Sequence, residues 1–246
     1  MTNEPDMAAE TVTHDRLLGG RIAYMQPVAG FRSGIEPVLL AAAVPAHGGE
    51  RVLEGGSGAG AALLCLAARV PEVQGIGIER DPVLAALALR NAAANNYAGL
   101  RFVAADITAV AECGSADHAM ANPPYHAAAG TASPDPARAQ AKRGAPGLLG
   151  VWAHALASPL RHRGTLTFIL PAATLAECLA AMTAARCPVS AILPLWPQPG
   201  RPAKLVLVQG VKGGRAPPRL LPGLVLHTAA GGYTADAEAV LRDGAA

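Results

Sequence analysis

Apolar positions along this chain fall into two alternating periods. Arg51-Val52-Leu53-Glu54, Val73 to Glu79, Leu100 to Ala104 and Asp117 to Ala121 are short apolar runs of strand length. Between them, Gly60 to Arg69 carries an apolar face of Leu63, Leu64, Leu66 and Ala67, and Asp81 to about Asn95 opens on an Asp-Pro pair; both read as helices. Asp81 suits a helix N-cap, and Pro37 after Glu36 suits the first position of a helix running to about Ala43. After Ala121 the periodicity stops, and His126 to Gly147 reads as a long loop rich in Ala, Gly, Pro and Ser. Helix resumes from Leu148 to Leu160, followed by a strand from Gly164 to Leu170 and a helix from Ala172 to Ala185. Strands at Val189 to Leu195 and Ala203 to Val211 follow, then a short strand and turn between Leu220 and Tyr233. Strand and helix alternate throughout, which predicts a parallel, doubly wound α/β sheet.

Residues 1–15 are polar and acidic and read as a mobile tail. Residues 16–246 read as one domain, with a lead-in hairpin and helix over 16–48 and the α/β core over 49–246. The N-terminus has no apolar stretch of signal-peptide type, and no apolar run reaches the length of a membrane span. Apolar residues make up 51% of the 246 positions, enough for a sizeable core. Cys65, Cys113, Cys178 and Cys187 are scattered without ligand spacing, so neither a metal site nor a disulfide is expected, which fits a reducing cytoplasm. The net charge of +2 hides an asymmetry. Residues 1–135 hold 8 basic and 14 acidic side chains, whereas residues 136–235 hold 11 basic ones and a single acid, Glu177. The second stretch predicts a positive surface for a phosphate backbone.

Two motifs carry chemistry. Glu54-Gly55-Gly56-Ser57-Gly58-Ala59-Gly60 is a Gly-rich turn between a strand and a helix, where backbone can pass close to a ligand. Dinucleotide sites share such a turn, so it is weak evidence alone. Glu79 ends the second strand 19 residues past Gly60, placed for two ribose hydroxyls. Asp106, with Ile107 beside it, follows the third strand, where a carboxylate can meet an adenine amino group. Glu54 closes the first strand, where a carboxylate can face an ammonium of a ligand directly or through water. All these positions belong to the carboxyl edge of adjacent strands, where ligands bind in open α/β sheets.

The second motif, Asn122-Pro123-Pro124-Tyr125, ends the fourth strand. An exocyclic amine of a nucleobase, or a side-chain amide nitrogen, is a poor nucleophile because its lone pair is delocalised. The Asn122 oxygen and the Pro123 carbonyl can accept from that NH2 and aim the lone pair at an electrophilic methyl. The prolines fix φ and bring no competing donor, and Tyr125 offers a stacking face. An ordinary turn also uses Asn-Pro and Pro-Pro, but it does not account for the Gly-rich turn upstream. Arg138, Lys142 and Arg143 on the loop that follows are candidates for phosphate contacts, and His126 is a candidate proton acceptor.

On these residues the chain resembles the Rossmann-like, S-adenosylmethionine-dependent class I methyltransferases with an Asn-Pro-Pro-Tyr motif. More narrowly, it resembles the bacterial tRNA1(Val) adenine-37 N6-methyltransferase family. Further marks are Gln26 to Leu40, Ser133 to Arg138, and the run from Leu226 to Tyr233. The resemblance implies a seven-stranded, mostly parallel sheet with an antiparallel last strand. It also implies S-adenosylmethionine as cofactor and an amino group as acceptor, adenine N6 in tRNA foremost; a cytoplasmic protein is expected on the grounds above, with RNA as partner, no membrane, and a monomer favoured though the sequence does not give the oligomeric state. By resemblance, Gln26, Arg32, Glu54, Gly55, Gly56, Gly58, Gly60, Glu79, Asp106, Ile107 and Asn122 are assigned to the cofactor, with Arg32 on its carboxylate or on RNA. Asn122 to Tyr125 are assigned to catalysis; Tyr125 is assigned to the substrate by its ring face, and Arg138, Lys142 and Arg143 by their place on the adjoining loop rather than by a match to the family. Other readings are a protein glutamine N5-methyltransferase, a guanine N2- or cytosine N4-methyltransferase, a nicotinamide oxidoreductase, and a non-catalytic RNA-binding module on the same fold.

Overall fold

The computed structural model describes residues 12–29, 32–124 and 147–246. It opens with an antiparallel hairpin, β1 (Val12–Leu17) and β2 (Ile22–Pro27), in register from Val12 opposite Pro27 to Leu17 opposite Ile22. The hairpin thus begins inside the stretch expected to be a tail. A helix, α1 (Glu36–Ala43), follows with Pro37 in its first turn. The core then runs β3 (Arg51–Gly55), α2 (Ala61–Arg69), β4 (Gln74–Glu79), α3 (Pro82–Ala94), β5 (Leu100–Ala104) and β6 (Ala116–Ala121). After it come α4 (Leu148–Ala157), β7 (Leu160–Pro171), α5 (Leu175–Ala184), β8 (Val189–Trp196) and β9 (Leu205–Val211). Two short strands, β10 (Arg219–Leu220) and β11 (Leu224–Val225), precede a one-turn helix, α6 (Ala235–Glu238), that runs on into a π-helical turn (Ala239–Asp243). Asp81 caps α3 as its sequence suggested, its carboxylate accepting from Val83 N.

Among the described residues the sheet runs β8-β9-β7-β6-β3-β4-β5, with β10 and β11 both alongside β8. Every pairing is parallel except those of β9, which is antiparallel to β7 and β8. The expected seven-stranded sheet with its antiparallel last long strand is therefore present, extended to nine strands by β10 and β11 at the β8 edge. Strand β7 also begins at Leu160, earlier than the expected Gly164. Its first residues, Arg161-His162-Arg163, are exposed, and Arg163 has φ of 71°. The register with β6 shifts there, so a bulge carries a polar segment that reads as loop in the sequence.

Consecutive residues of the central strands enter opposite cores, as a pleated strand requires. Val52, Met120, Ile169 and Leu207 pack with the helices α1, α2 and α3. Leu53, Ala119, Ala121, Phe168, Val206 and Val208 pack with α4 and α5. Helices thus cover both faces, which is why these strands are apolar without alternation.

The lead-in hairpin is fastened by two side-chain amides of α3. Asn91, fully buried, accepts from Met25 N (2.8 Å) and donates to Met25 O (2.8 Å) and to Ala59 O (3.0 Å). One turn later Asn95 accepts from Ala23 N (2.9 Å) and donates to Ala23 O (2.7 Å). Residues four apart share a helix face, and residues two apart share a strand side. The two amides therefore imitate a neighbouring strand for the edge of β2.

Replacing Asn91 by Ala strands three backbone groups, the buried Ala59 O and the half-buried Met25 N and O. It is expected to lower unfolding free energy by about 3 kcal/mol in urea titration, against about 1 kcal/mol for Asn95→Ala. Equal losses in the two variants would show that burial of the amide is not what matters.

Candidate functional site

The carboxyl ends of β3, β4 and β6 converge on a crevice between the sheet and the lead-in segment. Its wall includes Glu54, Gly56, Ser57 and Gly58 from the turn after β3, Asn122 from the end of β6, and Tyr24, Gln26 and Ser33 from the lead-in. Leu84 of α3 and Pro37 of α1 complete it. The Gly-rich turn and Asn122, separate in sequence, thus face one space.

The turn is held from beneath. Gly56 N and Ser57 N both donate to Ile78 O (2.8 and 3.1 Å), Gly58 N donates to Glu79 Oε2 (2.8 Å), and Gly60 N donates to Ser57 O (2.8 Å). Gly56 has φ of 65°, and a Cβ there would lie 2.7 Å from the Trp152 ring, so a side chain is excluded on both counts. At Gly58, φ is 53° and a Cβ would meet nothing within 4 Å; the missing side chain leaves open room at the crevice wall. Four of the turn's N–H groups are consumed internally, one of them by a carboxylate. Dinucleotide sites present such groups to a pyrophosphate. Here those N–H groups are already bonded to Ile78 O, Glu79 Oε2 and Ser57 O, and are not free for a pyrophosphate. The nicotinamide reading loses its support on this ground.

Glu54 is buried, and its Oε2 accepts from Leu63 N in the first turn of α2 (3.3 Å). Burial pushes its carboxyl up to about 8, and the charge of Glu79 adds to the rise, against the pull of the Leu63 N–H. A buried carboxyl in this condition is matched to a cationic guest. Beside it, the Ser57 hydroxyl is buried without a hydrogen-bond partner among the described residues, a polar atom suited to a ligand.

Glu79 binds the turn (Gly58 N) and, through Oε1, Asp81 N (2.9 Å). Its carboxylate therefore spans the base of the glycine turn and the start of α3. Asp106 caps the 3-10 turn that follows β5. Its Oδ1 accepts from Thr108 N (3.0 Å) and Thr108 Oγ1 (2.9 Å), and these bonds hold its carboxyl below the usual range. Ile107 is half-buried, close enough to Gly55 that a Cβ on Gly55 would lie 2.6 Å from Ile107 Cδ1. Gly60 is the left-handed N-cap of α2 (φ 89°).

Gln26 is buried, receiving Ser33 N on Oε1 (2.9 Å) and donating to Asp15 (2.7 Å). Arg32 donates to Asp15 Oδ2 (3.1 Å), Thr13 Oγ1 (2.9 Å) and Pro27 O (3.2 Å). Its guanidinium braces β1 against the loop that follows β2, a structural use the sequence reading did not give it. Of the second motif, Asn122 and Pro124 are half-buried and Pro123 is buried. Tyr125, His126, Arg138, Lys142 and Arg143 lie outside the described residues.

Tyr24 and Ser33, whose hydroxyls meet at 2.8 Å, escaped the sequence reading. A usable signal was present: Ile22, Tyr24 and Gln26 alternate as buried positions in β2, so a glutamine on an apolar face needs a polar purpose. The basic half of the chain also divides in space. Arg161, Arg163, Lys212 and Arg215 gather toward the end of the sheet away from the crevice, where Arg163 N donates to Lys212 O (3.0 Å). There Arg161 pairs with Asp117 (2.6 Å), and Lys212 Nζ donates to Ala157 O (2.7 Å). The expectation that this half as a whole faces the substrate is therefore too broad.

Residues 36–138 match the model of the family described as methyltransferase small domain. A curated relative, the tRNA1(Val) (adenine(37)-N6)-methyltransferase of Actinobacillus succinogenes, is 36% identical over 143 residues, which cover 56% of this chain and 60% of the relative. The matched region thus spans less than two thirds of that relative. A predicted O-methyltransferase from Agrobacterium tumefaciens superposes with a TM-score of 0.68 and 25% identity, over 83% of this chain and 94% of its own. The 16S rRNA N2 methyltransferase of T. thermophilus, solved with AdoMet and guanosine, superposes with a TM-score of 0.57 and 16% identity, over 82% of this chain and 50% of its own. The chain has the Rossmann-like fold of the methyltransferases, and the family resemblance read from its two motifs is borne out.

The raised pKa of Glu54 has a signed consequence for the ligand-free chain. A carboxyl lifted from 4.5 to about 8 on folding favours the folded state fully below the lower value and loses that contribution as pH rises to the upper one. Wild type is expected to lose about 5 kcal/mol relative to Glu54→Gln between those limits, read as the pH dependence of urea midpoints. Parallel pH profiles for the two proteins would place an ionised Glu54 in the ligand-free fold.

Proposed function

We propose that this chain is an S-adenosylmethionine-dependent N-methyltransferase acting on an exocyclic amino group, with adenine N6 in tRNA as the acceptor. The observation that carries the reading is the presence of Asn122 on the same crevice wall as Gly56, Gly58 and Glu54. The curated relative of that name supports the choice of acceptor.

The residues present suit the cofactor. The buried Glu54 carboxyl meets an ammonium, the unpartnered Ser57 hydroxyl adds a polar contact, and Gly58 leaves room for close approach. Glu79 and Asp106, at the ends of β4 and β5, are assigned to the ribose hydroxyls and the adenine amine. When bound, the cofactor supplies an activated methyl on a sulfonium. The chain then has to orient rather than activate. Asn122 Oδ1 and the Pro123 carbonyl accept from the target NH2, which restores its lone pair and fixes its direction. Pro123, buried at the strand end, holds that carbonyl by its fixed φ. Tyr125 is assigned to stacking on the base, which offsets part of the few kcal/mol lost on leaving a helical stack. The methylated nitrogen is acidic enough to lose its proton to water, so no dedicated base is assigned.

Tritiated methyl transfer to bulk tRNA, followed by nucleoside mass spectrometry, tests the reading. N6-methyladenosine is the expected product, and label appearing in protein glutamine alone would overturn the assignment. Asn122→Ala is expected to lower kcat about a hundredfold or more while cofactor affinity by calorimetry stays within about twofold. Turnover equal to wild type would remove Asn122 from the reaction. Glu79→Ala is expected to weaken cofactor binding about tenfold or more, through the lost ribose contact and the released Gly58 N–H. An unchanged dissociation constant would exclude it from the site.

A further inference from the structure

The same edge of the sheet carries a second concavity. It is an open groove lined by Trp196, Gln198, Arg201, Pro202 and Val225. Strands β6, β7 and β8 all run in one direction, so the end of β8 at Trp196 and the end of β6 at Ala121 lie on one side of the molecule. Between them stand β7 and β9. Three strand spacings separate the groove from Asn122 across the sheet, about 14 Å, and the register sets Trp196 roughly 10 Å farther along the strands, about 17 Å in all.

The groove is built on fixed backbone. Gln198-Pro199-Gly200-Arg201 is a tight turn, closed by Arg201 N donating to Gln198 O (3.2 Å), with Gly200 at φ of 70°. Proline second and glycine third is the sequence such a turn demands. Leu226 N and His227 N donate to Trp196 O (2.8 Å) and Pro197 O (3.1 Å), so β11 fixes the opposite wall. The ring of His227 stacks on Tyr233 with centroids 4.8 Å apart, and the Trp196 indole N–H donates to Pro222 O (3.2 Å).

Arg201 is the charged residue of its lining, and the acids Asp236 and Glu238 belong to the helix α6 packed on β11. The sequence contains no acidic residue between Glu177 and Asp236. Arg201 and Lys204 are both exposed on the loop joining β8 to β9. Lys204 O accepts from Ala172 N (2.9 Å), which sets that residue beside the end of β7, on the way from the groove to Asn122. Arg161, Arg163 and Lys212, by contrast, belong to the far edge and partly to structural bonds.

We infer that the groove between the Trp196–Pro202 loop and β11 is a second RNA subsite, holding the strand that flanks the methylated nucleotide. Arg201 and Lys204 bind its phosphates, and the Trp196 face supports a sugar or base. A span of about 17 Å corresponds to about five stacked nucleotides, fewer when the strand is splayed. The subsite deepens the function proposed above and rests on it.

The test uses full-length chain carrying Arg201→Glu and Lys204→Glu together, at exposed turn positions where folding is unaffected and thermal melting serves as the control. With tRNA as acceptor, KM is expected to rise about tenfold or more, while kcat at saturating tRNA and affinity for S-adenosylmethionine stay within about twofold. The slope of log KM against log salt is expected to flatten by about 1.4, the value for two phosphate contacts on a single strand. A wild type that methylates tRNA beside a double variant with unchanged KM and salt slope overturns the subsite and leaves the function standing. A wild type that neither binds nor methylates tRNA overturns both, as does transfer confined to protein amides.

Discussion

One buried side-chain amide sets the geometry on which the site depends. Asn91 bonds the backbone of β2 at Met25 and the backbone of the glycine turn at Ala59. Its oxygen accepts one bond and its two N–H groups donate one each. Hairpin, turn and helix α3 are therefore locked to a common point. A buried amide left half-satisfied is costlier than an apolar residue, so the three elements keep one relative placement or lose several hydrogen bonds together. That placement puts Tyr24, Gln26 and Ser33 opposite the end of β6, and so turns the open top of the sheet into a crevice with two walls.

The electrostatics of the crevice follow from the same arrangement. The turn spends its N–H groups on Ile78 and Glu79, and Glu54 is sealed beneath it. The floor therefore offers carboxyl groups rather than an anion cradle, the reverse of what a pyrophosphate needs. A guest with a positive centre and hydroxyl groups fits such a floor. Positive side chains stand farther along the same edge, at Arg201 and Lys204. Cation-seeking groups at one end and anion-seeking groups at the other give the edge a polarity, which matches a small cationic cofactor beside a polyanionic acceptor.

How far the sequence can be read depends on how local each signal is. Strands β3 to β6 and helices α1 to α3 announce themselves through period, Pro at the first turn and the Asp81 cap, all of which act within a few residues. The two short strands at the β8 edge do not, because two-residue strands carry no period. The bulge of β7 was unreadable for a related reason: Arg161-His162-Arg163 is polar, and only pairing with β6 and β9 makes it strand. Arg32 entered the reading through the family resemblance; its bond with Asp15, 17 residues away along the chain, was not legible there.

By itself the sequence determined the fold class, the strand ends that carry Glu54, Glu79, Asp106 and Asn122, and the chemistry these residue types can perform. Those properties come from backbone preference and side-chain identity, which each residue brings with it. Only the tertiary structure decided that Glu54 is sealed from water, that Asn91 fastens the hairpin, and that the basic half is shared between two opposite edges of the sheet. Burial, partner and direction are fixed when distant segments pack together, because desolvation and hydrogen bonding depend on what surrounds a group rather than on what it is.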